Sequence, residues 1–188
     1  PISLEFLSSH SFAQDDYQIL QIENGAKNNL PSLNLSLQQS TNSTLFTNVE
    51  LGSTHSCGIS NKKLYCWGEN GSYQLGTGSS ADQFAPKRID SSSDYATISA
   101  GDSHSCGITT SGVLKCWGNN NYGKLGDGTG VTRTSPVVIE SGTSYASVSA
   151  GSNHTCGITT SGVLKCWGNN NYGQLGDGTT TNSSIPVD

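Results

Sequence analysis

The residues best suited to chemistry in this chain are six cysteines, which occur as three pairs at nearly constant spacing: Cys57/Cys66, Cys106/Cys116 and Cys156/Cys166. If each pair lies in a β-hairpin with its cysteines opposite one another, the first loop has two residues and the other two have three. The loop is therefore one residue longer in the two units whose cysteines are one residue further apart. This compensation is expected if the two sulfurs must face each other. Directly opposed Cβ atoms lie about 4.5–5.5 Å apart, and slight closure brings them to the roughly 3.5–4.5 Å of a disulfide.

The residues of the three turns also favour hairpins. The three-residue loops end in Gly112 and Gly162, at the position that requires a left-handed backbone. The two-residue turn begins with Asn61, a residue type that tolerates positive φ. We therefore predict three disulfides, one per hairpin, and an even cysteine count with none left over indicates an oxidising compartment.

A histidine lies two residues before the first cysteine of each pair: His55, His104 and His154. Zinc binding by histidine and cysteine is therefore the alternative to disulfides. Structural zinc usually takes four closely spaced ligands, and no fourth ligand is evident here. A catalytic histidine would normally occur once, so its recurrence indicates a structural role. The tryptophan after the second cysteine of each pair is likewise predicted to belong to the core: Trp67, Trp117 and Trp167.

The sequence contains no signature of catalysis. A nucleophile elbow, a phosphate-binding loop, an H-E-x-x-H motif and paired carboxylates are all missing, so we predict neither an enzyme nor a cofactor. The formal net charge of −5 and the scattered lysines and arginines argue against nucleic acid. No apolar run approaches the roughly 18–20 residues of a membrane helix. The expected partner is another protein.

The cysteine pairs belong to a repeat of about 50 residues, a period typical of propellers and other repeat folds. The string CGITTSGVLKCWGNNNYG begins at both Cys106 and Cys156, and a diverged copy begins at Cys57. Charged residues are only 12 %, and glycine and asparagine are frequent in the hairpin and tail of each unit, which disfavours helices there. We predict an all-β partial β-propeller with three blades, at about 46–94, 95–144 and 145–188, in which Ile185–Asp188 begins a fourth.

Residues 1–45 match no repeat and are left unassigned. Small residues at Ser11-Phe12-Ala13 have the spacing of a signal-peptidase site. The alternative is that this segment holds preceding strands, with candidates at Tyr17–Ile22 and Ser32–Leu37. The lack of methionine suggests that the true N-terminus lies upstream or was removed.

The units resemble the repeat of the regulator of chromosome condensation family. The resemblance rests on A-G-x-x-H, then G-x-L-x-C-W-G-x-N, then G-x-L-G, and it covers the chain from Phe46 onward. It implies four-stranded blades in a ring that is usually seven-bladed, so that three blades would be a fragment. The paired cysteines are similar to the bacterial secreted variety of the family, which implies an extracellular, cell-surface or periplasmic location.

The function expected from these features is a non-catalytic scaffold for protein–protein interaction. The alternatives are a guanine-nucleotide exchange factor, as among the nuclear members of the resembled family, and a structural or adhesion module. Sequence variation between units collects in Ser79–Ala85, Gly130–Ser135 and Thr180–Ile185. Variable loops on a rigid scaffold often carry function, although neutral drift is an alternative. The candidate binding residues are Asp82, Gln83, Phe84, Arg133 and Asn182.

Overall fold

The computed structural model describes residues 45–188, and these residues form three four-stranded antiparallel sheets. The first blade consists of β1 (Asn48–Leu51), β2 (His55–Ser60), β3 (Lys63–Gly68) and β4 (Gln83–Ile89). The second consists of β5 (Tyr95–Ala100), β6 (His104–Thr109), β7 (Leu114–Gly118) and β8 (Arg133–Val138). The third consists of β9 (Tyr145–Ala150), β10 (His154–Thr159), β11 (Leu164–Gly168) and β12 (Ser183–Val187). The expected signal-peptidase site and the two early strand candidates lie outside the described residues.

Each blade is a simple meander in which every strand pairs with the next one along the chain. The central hairpin follows from its turn residues, since Asn61 and Lys62 both have positive φ and Gly112 and Gly162 have φ of +84° and +87°. Between Asn121 and Gly123 the chain makes a short 3-10 turn. Nowhere in residues 45–188 does a helix have the length and apolar character needed to span a membrane.

The fourth strand of each blade is the outer one, and it carries the proline that recurs in every unit. Pro86, Pro136 and Pro186 lie in β4, β8 and β12. Proline suits an edge strand, because its missing N–H is not needed for a further ladder. The expectation that Ile185–Asp188 begins a fourth blade is wrong, since β12 pairs with β11 and completes the third sheet.

The hydrophobic core lies between the blades, where the face of one sheet packs on the next. The first of the two interfaces buries side chains from both blades: Cys57, Ile59, Leu64, Cys66, Leu75 and Ile89 with Tyr95, Ile98 and Trp117. The second repeats the arrangement one blade later: Cys106, Ile108, Leu114, Cys116, Leu125 and Ile139 with Tyr145 and Trp167. A blade therefore depends on its neighbours for burial of its apolar side chains.

The blades have two distinct ends. The loop end holds the turns between first and second strands and the long loops between third and fourth strands. In the first blade this turn and this loop are joined by a hydrogen bond from Glu69 N–H to Thr54 O at 3.0 Å. The hairpin end holds the loops between second and third strands and the connections between blades. The first hairpin loop and the start of the second blade are joined by a hydrogen bond from Tyr95 N–H to Lys62 O at 2.7 Å. The variable segments identified in the sequence reach the loop end.

Candidate functional site

The cysteines are joined within each hairpin as their spacing predicts. Each pair occupies directly opposed positions in the strand register, with its Cα atoms 4.1 Å apart, and the bonds are Cys57–Cys66, Cys106–Cys116 and Cys156–Cys166. The sulfurs are bonded to one another and are therefore not available as metal ligands. Within residues 45–188, no cluster of three or more histidine, cysteine or acidic side chains is arranged to hold a metal ion.

The recurring histidines connect one blade to the next. His55 Nε2 lies 2.8 Å from Ser105 Oγ, and that hydroxyl donates to Gln74 O at 2.8 Å. Because the hydroxyl proton is used in this way, the imidazole must donate from Nε2. One blade later His104 makes the same contact with Thr155 Oγ1 at 2.9 Å. His154 lies in the last blade, where its ring is only partly buried.

Burial keeps the two interface histidines neutral. Desolvation lowers the pKa of His55 to about 4, although Glu69 acts in the opposite direction. Desolvation, aided by the nearby Lys124 ammonium, lowers the pKa of His104 to about 3. In the described part of the chain, the Nδ1 atoms of both rings are buried without a hydrogen-bond partner. This agrees with a neutral ring whose proton is on Nε2. These histidines are therefore fixed hydrogen-bond donors between blades and are poorly placed for proton transfer to a substrate.

The recurring tryptophans fill the same interfaces. Trp117 is fully buried, and its Nε1 donates to Gln74 O at 2.9 Å. Its ring lies so close to Gly76 that a Cβ there would be 2.7 Å from Trp117 Cδ1. Trp167 is equally buried, whereas Trp67 in the first blade is half-buried.

A recurring asparagine organises each long loop, and sequence reasoning assigned it no role. Asn120 is fully buried; its Nδ2 donates to the carbonyls of Thr129 and Val131 at 3.0 and 3.1 Å, and its Oδ1 accepts from Leu125 N–H at 2.9 Å. Asn70 has the equivalent three contacts, and Asn170 has two of them, to Thr179 O and from Leu175 N–H. The available signal was its constant place in W-G-x-N, three residues after the tryptophan.

We expect Asn120→Ala to lower the free energy of unfolding by about 2–3 kcal/mol, because the substitution leaves the buried Leu125 N–H and two partly buried carbonyls without this partner. Asn121→Ala is the matched control, since Asn121 is the next residue and is exposed. Denaturant unfolding followed by circular dichroism measures both. Equal small losses would contradict the assignment of this side chain as the organiser of the loop.

The candidate binding residues occupy the start of the outer strands and the loops before them. Asp82 and Asn182 hold their loops, each accepting a backbone N–H, from Asn70 and Asn170 respectively. Gln83 donates to the carbonyls of two neighbouring residues. Three of the five lie in the strands themselves: Gln83 begins β4, Phe84 follows it and is 97 % exposed, and Arg133 begins β8.

Charge is distributed unevenly between the two ends. The loop end carries five carboxylates and two cations: Glu69, Asp82, Asp102, Asp127 and Asp177 with Lys124 and Arg133. Both cations are engaged, because Lys124 is buried and Arg133 pairs with Asp127 at 2.6 Å. The hairpin end instead carries lysines paired with acids, as in Lys115–Asp90 at 2.7 Å. The charge exposed at the loop end is therefore predominantly negative.

A groove of about 340 Å³ opens at the loop end, lined by residues 51–53, 100–102 and 150–152. Ser53 Oγ donates to Asp102 Oδ1 at 2.7 Å, and hydrogen bonds from Ser152 and Ser53 hold the pKa of Asp102 below its usual range. His104 contacts Thr155 instead of either serine. The groove thus presents a carboxylate and small side chains, without a serine–histidine pair for acyl transfer.

The blades and their interfaces define a repeat protein of the β-propeller class. A model of the regulator of chromosome condensation (RCC1) repeat matches residues 62–108, 111–158 and 161–188. A second model of this repeat matches residues 95–124 and 145–174. The chain belongs to the regulator of chromosome condensation repeat family. A comparison with curated proteins gave no match.

Solved structures of yeast propellers have the same fold. The crystal structure of Kap60 bound to yeast RCC1 (Prp20) matches with a TM-score of 0.68 at 22 % identity, covering 76 % of this chain and 36 % of that one. A structure of Prp20p from Saccharomyces cerevisiae, whose description includes its binding to Gsp1p and histones, matches with a TM-score of 0.68 at 22 % identity over 76 % and 37 %. This chain thus spans little more than a third of those chains' length, and the likeness shows the fold.

Proposed function

We propose that this chain is a non-catalytic binding scaffold for another protein, acting outside the cell, and that the partner contacts the loop end. The observation that carries the proposal is the combination of variable segments and unpaired carboxylates at one end of a nearly invariant scaffold. A disulfide in every hairpin supports an oxidising location. The absence of nucleophile–base geometry in the loop-end groove supports binding without catalysis.

The exposed charge specifies the chemistry of the partner. Glu69, Asp82 and Asp102 are exposed carboxylates, and both cations of this end already have partners. Complementary charge steers encounter and favours specificity. The partner surface is therefore basic, and its affinity falls as salt concentration rises.

The test is the double substitution Glu69→Asn and Asp82→Asn. The third blade already has Asn169 and Asn182 at these positions, and Asn182 makes the same hydrogen bond as Asp82, so charge changes while the fold is preserved. Partners are first captured by cross-linking to cell-surface and secreted proteins of the source cell. The variant is expected to bind the identified partner several-fold more weakly and with less salt dependence, at an unchanged melting temperature.

The matched control is Asp94→Ser, which removes one carboxylate at the hairpin end, where the second blade has Ser144. Asp94→Ser should leave affinity unchanged. If both variants bind like the wild type, or if the hairpin-end variant alone is affected, the loop end is not the binding surface. Accelerated nucleotide release from a small GTPase by the reduced chain would instead favour the alternative, a guanine-nucleotide exchange factor.

A further inference from the structure

The long loop of the second blade has a backbone conformation that the other two blades lack. Residues 120–123 form a four-residue turn closed by Gly123 N–H, which donates to Asn120 O at 3.0 Å. The third residue of this turn, Tyr122, has φ of +64° and ψ of 7°. That left-handed position is typical of a type II turn and usually holds glycine or asparagine. A bulky residue is strained there, so neighbouring groups must hold it in place.

The amino acids of the turn itself do not explain this conformation. The third blade has the same string, NNNYG, yet Tyr172 is not left-handed. Ser72 has this position in the first blade and is not left-handed either. Because the first blade, like the second, is packed against a following blade, a missing neighbour is not the cause.

The residue two positions after the strained one differs between the blades. In the first blade Gln74 Oε1 accepts the backbone N–H of Ser72 at 2.8 Å. In the third blade Gln174 Oε1 accepts the backbone N–H of Tyr172 at 2.9 Å. A glutamine side chain therefore fixes the direction of the same peptide group in both blades.

The second blade has Lys124 in place of glutamine, and an ammonium group donates but cannot accept. Lys124 is 2 % exposed, and its Nζ donates to Ser103 Oγ at 2.9 Å and to Ser152 O in the third blade at 3.2 Å. Without the glutamine oxygen, the peptide between residues 121 and 122 takes the opposite orientation, which is the difference between type II and type I turns. The direction in which the Tyr122 side chain leaves the backbone changes with it.

The turn lies at the loop end, and its tyrosine is accessible there. Tyr122 is 49 % exposed in a blade that is packed against another blade on each side. Tyrosine is enriched in protein interfaces, and its ring attracts lysine and arginine cations. We propose that Tyr122 anchors the basic partner at the loop end and that Lys124 is the positioning residue that presents its ring. This inference rests on the proposed function, which supplies the basic character of the partner.

The surroundings of Tyr122 suit such a partner. Val131 belongs to the same loop, where its carbonyl accepts from Asn120 Nδ2 at 3.1 Å, and it is 58 % exposed. Exposed carboxylates at the same end, Glu69 and Asp82, complement the charge of a basic surface. An aromatic and an aliphatic side chain with carboxylates around them combine apolar contact with attraction for cations.

The conformational step is tested without a partner, by comparing glycine with alanine at position 122 of the oxidised 188-residue chain. With Lys124 present, Tyr122→Gly is expected to melt about 2–4 °C above Tyr122→Ala, because glycine adopts positive φ without strain. Adding Lys124→Gln should reverse the order, because alanine is favoured where φ is negative. Scanning calorimetry measures both.

The matched control is Lys124→Met, which removes the same charge without supplying an acceptor. In this background Tyr122→Gly should remain more stable than Tyr122→Ala. If the order of the two variants is the same with Lys124→Gln as without it, Lys124 does not set the turn and the proposal is wrong.

The binding step is measured with a nona-arginine peptide, whose guanidinium groups represent a basic partner surface, by titration calorimetry at low salt. Tyr122→Ala is expected to weaken binding about two- to fivefold, as the loss of an exposed cation–π contact does. Lys124→Gln should also weaken binding, although removal of a positive charge alone would strengthen the binding of a cationic peptide. Lys124→Met keeps the turn and should bind at least as tightly as the wild type.

The two substitutions must also be coupled. In the Tyr122→Ala background, Lys124→Gln should cause no further loss, and a further loss would overturn the positioning role because Lys124 would then act without the ring. If Glu69→Asn with Asp82→Asn weakens binding of the peptide whereas Tyr122→Ala does not, the proposed loop-end site stands and this anchor is wrong. If neither change has an effect, both the site and the anchor are overturned.

Discussion

Trp117→Ala is expected to lower the free energy of unfolding by about 3–5 kcal/mol, the range measured for large-to-small changes of buried aromatic residues. Trp117 is fully buried between the first and second blades and also donates to Gln74 O. Its loss leaves both a cavity and a buried carbonyl with one donor fewer. Total stabilities of domains are roughly 5–15 kcal/mol, so this single change removes a large share.

Trp67→Ala is the matched control, because Trp67 has the same place in the repeat but is half-buried and packs mainly against Phe46, with ring centroids 5.8 Å apart. Its cost should be less than half as large. Denaturant unfolding at equal protein concentration measures the difference, and equal costs at the two positions would show that burial between blades is not the cause.

Acidification is expected to destabilise the fold between pH 6.5 and pH 4.5, before most carboxylates titrate. The ordinary histidine pKa is 6.5, and burial lowers the pKa of His55 to about 4 and that of His104 to about 3. The unfolded chain therefore binds more protons in this window, so stability is complete above pH 6.5 and falls as the pH decreases. The loss is on the order of 2 kcal/mol per histidine by pH 4.5.

His104→Gln should remove about half of this slope, since an amide N–H can still donate to Thr155 but does not titrate. Asp90 does not titrate in this pH window. Burial raises its pKa, but the hydrogen bond from Lys115 outweighs burial and holds that pKa below its usual range. A slope that is unaltered in His104→Gln would contradict the neutral, buried assignment.

The features predictable from the sequence are those set by contacts within one hairpin. Cysteine spacing and turn length together place Cys106 opposite Cys116, because the period of a strand is two residues and the loop adjusts the register. The repeat itself indicated blades, and a glycine at the third loop position indicated a left-handed turn at Gly112. These inferences needed no information about which blade lies beside which.

Tertiary structure decided everything that depends on a neighbouring blade. His104 and His154 have nearly identical local sequences, yet one is fully buried and the other partly exposed, because within residues 45–188 only His104 is packed against a following blade. The acceptor of Trp117 lies 43 residues earlier, at Gln74, and no local pattern marks it. The same limit explains why Ile185–Asp188 was misassigned: an outer strand is defined by the strand it pairs with, and that partner, β11, lies across a long loop.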